Sequence, residues 1–184
     1  MLIGRDSSCL LVVDIQEKLL PAMQDPMLVV RNTGILMQAA ARLGVPVLVS
    51  EQYPQGLGPT VAELRHLVPA ESILAKTAFS CADDPGLRQK LADLKRPQVI
   101  ICGIEAHVCV LQTALGLSSD RGPDSLSPVV VADATSSRTI ANREAALARL
   151  RGDGAQIATT EMVVFEWLGR AGTPEFKELS RLIR

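Results

Sequence analysis

The sequence has no excess of charge of either sign, and this absence narrows the choice of partners. Its 19 Lys and Arg residues nearly balance its 20 Asp and Glu residues. Proteins that bind nucleic acid or an anionic membrane through charge carry a basic excess on one surface. The balance therefore disfavours both of these partners, and a small, roughly neutral molecule fits better.

The sequence also lacks membrane and export signals. No stretch reaches the roughly 18 uninterrupted apolar residues that a membrane-spanning helix needs. The first residues, MLIGRDSSCLLVVD, have neither the basic region nor the long apolar run of a signal peptide. The four cysteines, at positions 9, 81, 102 and 109, form no CxxC pair and no dense framework. We therefore expect a cytoplasmic protein with free thiols.

Histidine and glycine are missing where common cofactor motifs need them. The two histidines, His66 and His107, offer no HExxH or Asp-x-His spacing, so no metal site is predicted. We interpret His66 as structural, and His107 need not face Cys109, two positions later, as a base. The turn after the first predicted strand, DIQEKL, has no glycine for a pyrophosphate to approach. No cofactor is predicted.

What the sequence does contain is a regular alternation of strand-like and helix-like segments. A chain of 184 residues has the usual size of one domain, and we expect residues 1–184 to form one. Buried strands are predicted at 9–14, 45–51, 72–77, 98–104, 128–134 and 155–160. Helices are predicted at 27–44, 58–68, 84–95, 106–122 and 142–154, with a last helix near 174–184 at an edge or on a partner subunit. The insert SSDRGPDSLSP, 118–128, is predicted to be a surface loop.

This alternation predicts a parallel sheet with helices on both faces, a three-layer α/β/α sandwich of the Rossmann-like kind. In such folds, ligands bind beyond the carboxyl ends of the strands, near the point where the strand order reverses. Asp14 ends the first predicted strand, Lys76 lies at the end of the third, and Cys109 follows the fourth. A carboxylate, an ammonium group and a thiol are therefore predicted to meet at one rim of the sheet.

These three groups suit hydrolysis through a thioester. A thiol attacks as thiolate, and its pKa falls at a helix N-terminus beside a cation. Lys76 could supply the cation, while Asp14 could take the thiol proton and later return it to a leaving amine or activate water. The backbone N–H groups of the GIEAHVC turn, free at a helix start, could form an oxyanion hole.

Each of these residues also has a structural interpretation. A cysteine at a strand–helix junction is more often part of the core, and this is how we interpret Cys9 and Cys102. Asp14 could cap the following helix, and Lys76 could be a solvated surface charge. The appearance of all three groups at strand ends favours the functional interpretation.

Three ordered segments resemble the catalytic blocks of a known superfamily. LLVVDIQEKL with Asp14, ILAKTAFS with Lys76 and GIEAHVCVLQTAL with Cys109 are similar, in order and spacing, to those of the isochorismatase-like cysteine hydrolases. The segments EQYPQGLGPTVAEL, VVADATSSR and PEFKEL most resemble the isochorismatase domain-containing proteins. The resemblance covers nearly the whole chain, and it implies a six-stranded parallel sheet of order 3-2-1-4-5-6.

The resemblance also implies roles for individual residues. Cys109 would be the nucleophile, Asp14 the proton-transfer residue and Lys76 the stabiliser of the thiolate. A cis peptide bond is implied between Ile104 and Glu105, with the N–H groups of Glu105 and Cys109 directed at the oxyanion. The family's habit and the apolar last helix predict a homodimer or a larger homo-oligomer.

Two departures from better-known relatives narrow the reaction. Nicotinamidases carry an Asp-x-His metal motif that is absent here, and isochorismatases that cleave a vinyl ether lack the cysteine. We therefore predict a hydrolase of a small amide without a metal. The residues expected to line its pocket are Gln16, Tyr53, Leu57, Phe79, Glu105 and Arg138.

Of these, Arg138 is the best suited to pair with a substrate carboxylate through two hydrogen bonds. Two other classes of function stay open. One is a catalytically idle binding or scaffold protein with the same fold. The other is a thiol redox protein, which needs a resolving cysteine close to Cys109, and the spacing from Cys102 makes that pairing weak.

Overall fold

A computed structural model describes residues 1–119 and 125–183, and a parallel β-sheet lies at the centre of this part of the chain. Its strands are β1 (Ser8–Val13), β2 (Val47–Gln52), β3 (Ile73–Lys76), β4 (Gln98–Ile104), β5 (Ser127–Ser136) and β6 (Gln156–Ala158). They pair in the order β3-β2-β1-β4-β5-β6, and each described pair is parallel. The predicted α/β fold and strand order are confirmed.

Helices flank the sheet on both faces. In chain order they are α1 (Pro26–Leu43), α2 (Pro54–Leu57), α3 (Ala62–Arg65), α4 (Pro85–Asp93), α5 (Leu111–Ser118), α6 (Ile140–Gly152), α7 (Thr160–Leu168) and α8 (Pro174–Leu179). Short 3₁₀ helices span Leu20–Ala22 and Ala70–Ser72, and a π-helical turn, Ala106–Val110, leads into α5. None of the helices within the described ranges is both long and apolar enough to cross a membrane.

The residues of β1 show how the two layers of helices form two cores. All six residues of this strand are buried. Leu10 and Val12 pack in an apolar cluster with α1 and α7, whereas Leu11 and Val13 pack in a second cluster with α4, α5 and α6. A strand covered on both faces therefore needs a continuous apolar run, which is the pattern that predicted it.

The structure departs from the predicted helices at residues 58–68 and after β6. The helix predicted at 58–68 is reduced to α3, because Thr60 pairs with Gln16 in a β-bridge and bonds to Glu51 instead of entering a helix. Helix α7 was not predicted, although Thr159 caps its start and Gly169 ends it in a left-handed conformation. The predicted loop at 118–128 lies partly outside the described residues.

The last helix, α8, is shorter than predicted and packs within its own chain. It contacts α1 and α7. Arg42 on α1 joins it through ion pairs with Glu175, at 3.1 Å, and Glu178, at 2.7 Å. The apolar residues of α8 therefore have partners in the same chain.

Candidate active site

Asp14, Lys76 and Cys109 lie at the carboxyl ends of β1, β3 and β4. Asp14 directly follows β1 in a left-handed conformation, with φ of 53°. Lys76 is the last residue of β3, and Cys109 lies in the π-helical turn that follows β4. Because β1 and β4 are neighbours, Asp14 and Cys109 flank the point where the strand order reverses.

Asp14 and Lys76 form a buried ion pair. Lys76 Nζ lies 2.8 Å from Asp14 Oδ2, and both side chains are 0% exposed. The ammonium group also donates to Gln52 Oε1 at 2.6 Å and to the carbonyl oxygens of Ala78 and Phe79 at 3.2 and 3.1 Å. Lys76 is therefore not a solvated surface charge. Polar atoms surround its positive charge, as the burial of a charged group requires.

The Cys109 thiol is 5% exposed, and its surroundings keep it protonated. Burial raises the pKa of Cys109 above its ordinary value, and so do the charge of Asp14 and a hydrogen bond to Asp14, while the charge of Lys76 lowers it. The lowered pKa that the sequence predicts for Cys109 is therefore wrong, because burial and the charge of Asp14 outweigh the charge of Lys76. At neutral pH the Cys109 side chain is therefore a thiol that lies beside Asp14.

The other cysteines are free and buried. Burial raises the pKa of Cys9 and of Cys102 to about 12, and both side chains pack in the core, as the sequence indicated. Cys81 is different, since it lies close enough to Asp14 and Cys109 to interact with their charges. Burial also raises the pKa of Cys81. No sequence motif marks this thiol, so its position near Cys109 is not predictable from the sequence.

Glu105, which follows β4, is tied to Arg138. The peptide bond between Ile104 and Glu105 is cis. Arg138 donates to the Glu105 carboxylate through Nε at 2.9 Å and Nη2 at 2.6 Å. Burial opposes ionisation of Glu105, but the hydrogen bonds and charge of Arg138 outweigh it and hold the pKa of the carboxyl below its usual value. The bidentate face of Arg138, expected to bind a substrate carboxylate, is thus occupied by a carboxylate of the chain itself.

His107 bonds to groups other than Cys109. Its Nδ1 lies 3.0 Å from Ser137 Oγ, and its Nε2 lies 3.3 Å from Asn142 Nδ2. With the Asn142 amide donating to Nε2, the imidazole proton belongs on Nδ1 and is donated to Ser137. Neither nitrogen is left for a dyad with Cys109. Across the described residues, no three His, Cys, Asp or Glu side chains form a group that could hold a metal ion.

Gln16 was predicted to line the pocket, but its side chain holds two segments of backbone together. The amide donates to the carbonyl oxygens of Gln52 at 3.0 Å and Gly58 at 2.7 Å, and it accepts from the Gln52 N–H at 2.7 Å. The side chain is fully buried. Gln16 therefore anchors the 52–58 segment, which carries two other predicted pocket residues, Tyr53 and the partly buried Leu57.

The rings of Tyr53 and Phe79 are exposed on the Lys76 side of the site, at 56% and 55%. The Tyr53 N–H donates to the Lys76 carbonyl at 2.8 Å, and the Phe79 carbonyl accepts from Lys76 Nζ. The Tyr53 ring packs on Gly56, where an added Cβ would lie 2.5 Å from ring carbons. These contacts fix two apolar surfaces beside the ion pair.

Comparisons with known proteins agree with the fold and the motifs. The family model "Isochorismatase domain" matches residues 8–162. Human isochorismatase domain-containing protein 2 is 44% identical over 183 residues, which cover 97% of this chain and 83% of that protein. The predicted family resemblance is thereby confirmed.

Solved structures give the same result. The Caenorhabditis elegans protein described as MAR1 ribonuclease has a TM-score of 0.90 at 36% identity, covering 100% of this chain and 92% of that one. The Escherichia coli YcaC gene product, described as an octameric hydrolase of unknown specificity, has a TM-score of 0.89 at 23% identity over 99% and 90% of the two chains, a likeness of fold alone. The chain belongs to the isochorismatase domain family.

Proposed function

We propose that this chain is a cysteine hydrolase that cleaves the C–N bond of a small amide through an acyl intermediate on Cys109. The observation that carries the proposal is the buried thiol of Cys109 beside Asp14, whose carboxyl group is paired with Lys76 at 2.8 Å. A nucleophile, a base and a group that orients the base are the parts that covalent catalysis needs. The proposal uses no metal or cofactor.

In the first half of the reaction, Asp14 acts as a base. Cys109 Sγ attacks the substrate carbonyl carbon while its proton moves to Asp14, and the C=O electron pair moves to oxygen. The N–H groups of Glu105 and Cys109, in the first turn after β4, stabilise this oxyanion. The C=O bond then re-forms and the C–N bond breaks, and the nitrogen takes the proton from Asp14 and leaves as an amine.

In the second half, water attacks the thioester. Asp14, ionised again, takes one proton from the water as its oxygen bonds to the acyl carbon. The tetrahedral intermediate collapses with cleavage of the C–S bond, and Asp14 returns the proton to the sulfur. The charge of Lys76 compensates the negative charge that moves between Asp14 and Cys109.

The charges around the site favour an uncharged substrate. Asp14 pairs with Lys76 and Glu105 pairs with Arg138, so neither pair offers a net charge to an ionic ligand. The exposed rings of Tyr53 and Phe79 offer apolar surface instead. We therefore propose a small, neutral amide as substrate.

An amide library tests this function with the wild-type protein and Cys109→Ala. We expect release of amine or ammonia by the wild type, none by Cys109→Ala, and an acyl adduct on Cys109 in quenched reactions analysed by mass spectrometry. Cys102→Ala is the matched control and should keep full activity. Turnover by folded Cys109→Ala, or no turnover of any amide by either protein, would contradict the proposal, and the second result would favour an idle binding protein.

Thiol labelling gives a test that needs no substrate. We expect iodoacetamide to modify Cys109 faster than the fully buried Cys102, and to do so more slowly in Lys76→Ala, because Lys76 lowers the pKa of Cys109. Equal labelling of the two cysteines would count against a reactive Cys109. Digestion and mass spectrometry locate the modified residue.

Two other functions have less support. The C. elegans relative is described as a ribonuclease. The nearly balanced charge of this chain does not favour RNA, and we expect no RNA cleavage above that of Cys109→Ala. For a redox function, Cys102 is a poor partner because it packs in the core on the opposite face of the sheet from Cys109. Cys81 lies on the Cys109 face, and a search for a Cys81–Cys109 disulfide after peroxide treatment tests this alternative.

A further inference from the structure

Ser50, on β2, bonds to Asp14 at two points, although the reaction proposed above does not use it. The Asp14 N–H donates to the Ser50 carbonyl at 3.1 Å, and Ser50 Oγ donates to Asp14 Oδ1 at 2.7 Å. Both residues are 0% exposed. We propose that Ser50 is a positioning residue that holds the Asp14 carboxylate in place to accept the Cys109 proton. This inference rests on the proposed hydrolase function.

The two oxygens of the carboxylate have different partners. Ser50 bonds to Oδ1 and Lys76 bonds to Oδ2. Hydrogen bonds at both oxygens fix the plane of the carboxylate, since rotation of the group would lengthen one of them. An ionised carboxylate has about four lone-pair sites, so acceptor capacity remains for the thiol.

Cys81 lies next to Ser50 and interacts with it. Its N–H donates to Thr113 Oγ1 at 2.8 Å, and its thiol lies close enough to Ser50 and Thr113 for their hydroxyl groups to lower its pKa. Burial raises the pKa of Cys81, so this thiol stays neutral and does not draw the single Ser50 proton away from Asp14. Thr113 lies one turn after Cys109, and Ser50 is thereby linked to the helix that follows the nucleophile.

The loss of the Ser50 hydroxyl has an effect that a purely structural role would not produce. A hydrogen bond to the charged form of a carboxylate favours that form. Without it, the carboxylate takes a proton at higher pH, so the acid side of the reactivity profile moves to higher pH. Lys76, Cys81 and Cys109 are the other titratable groups of this cluster, and Ser50→Ala leaves all of them in place.

The experiment measures the rate constant for modification of Cys109 by iodoacetamide across the acid and neutral range, with site-resolved mass spectrometry. In Ser50→Ala we expect the acid-side midpoint to rise by about one pH unit, the shift that a tenfold change in proton affinity gives. Ser50→Thr keeps the hydroxyl and should keep the midpoint. Ser8→Ala is the matched control, because Ser8 is also 0% exposed and donates at 2.6 Å, but at the opposite end of β1.

An unchanged midpoint in Ser50→Ala, or the same shift in Ser8→Ala, would overturn the inference. If Ser50→Ala does not fold, Ser50→Cys keeps the size, weakens the donor and should give an intermediate shift. Asp14→Asn separates this inference from the proposed function. If the acid-side decrease in the Cys109 modification rate disappears in Asp14→Asn but keeps its midpoint in Ser50→Ala, only the role of Ser50 is refuted. If the acid-side decrease persists in Asp14→Asn, the proposed role of Asp14 as base is refuted.

Discussion

Replacing Lys76 by methionine should destabilise the fold strongly, because it leaves the buried charge of Asp14 without its ion-pair partner. The two side chains are 2.8 Å apart and 0% exposed. The ammonium group also donates to Gln52 Oε1 at 2.6 Å, and this acceptor would lose its donor. Removing one partner of a buried ion pair typically costs about 3–5 kcal/mol. We expect Lys76→Met to lower the free energy of unfolding by an amount within that range.

A second substitution can relieve part of this loss. In Lys76→Met/Asp14→Asn the stranded charge is gone, and the new amide oxygen can still accept from Ser50. The double variant should therefore lose less stability than the sum of the two single variants, with a coupling of about 1–3 kcal/mol.

Urea denaturation, with the midpoint and slope fitted for each variant, measures these differences. The control is Lys18→Met, because Lys18 donates to the Gly56 carbonyl at 3.1 Å on the exposed surface, and its removal should cost less than about 0.5 kcal/mol. The reasoning is refuted if Lys76→Met costs less than about 1 kcal/mol, or if the single losses add without coupling.

Three further predictions concern the backbone, the core thiols and the rim of the site. Gly103→Ala should abolish folding, since φ is 122° and an added Cβ would lie 2.1 Å from a backbone oxygen of β1, whereas Gly152→Ala meets open space and should be neutral or slightly stabilising in thermal melts. Unfolded thiols ionise above about pH 9, while Cys9 and Cys102 keep their protons to about 12 in the folded chain. Stability should therefore fall as pH rises through this window, by up to about 1.4 kcal/mol per pH unit for each thiol, and less steeply in a variant with alanine at both positions. Arg138→Ala should lower the turnover of neutral and anionic amides by the same factor, because Arg138 pairs with a carboxylate of the chain, and a loss confined to anionic amides would show that it binds substrate.

The central strands could be predicted because burial on both faces requires apolar residues. β4 has the bounds that its apolar run indicates, Gln98–Ile104. The edge strand β6 was predicted at 155–160 but ends at Ala158, because Thr159 caps α7 and draws the chain into a helix. Helix α7 has only nine residues and follows this strand directly, so its apolar residues and those of the strand merge into one pattern.

The positions of the candidate catalytic residues at strand ends could be predicted from the sequence, but the direction of the Cys109 pKa shift could not. Asp14, Lys76 and Cys109 lie at strand ends, and parallel strands bring their carboxyl ends to one edge of the sheet. The sign of the Cys109 pKa shift depends on the depth of burial and on the proximity of Asp14, which only the three-dimensional arrangement gives. The pairing of Arg138 with Glu105 could not be predicted either, because the two residues are 33 positions apart in sequence.

The order of the strands explains why residues of β2 hold the ion pair. Neighbouring strands are about 4.8 Å apart, so Asp14 after β1 and Lys76 on β3 are separated by about 10 Å of sheet, with β2 between them. The Lys76 side chain must therefore pass over β2, where Gln52 is in register with Lys76 and Ser50 is in register with the residue before Asp14. The sequence of β2, VLVSEQ, ends in three polar residues, and two of them, Ser50 and Gln52, are at alternate positions and therefore on the same face of the strand. Once the strand order is known, such a pair on the intervening strand predicts which side chains bond to charges on the strands at either side.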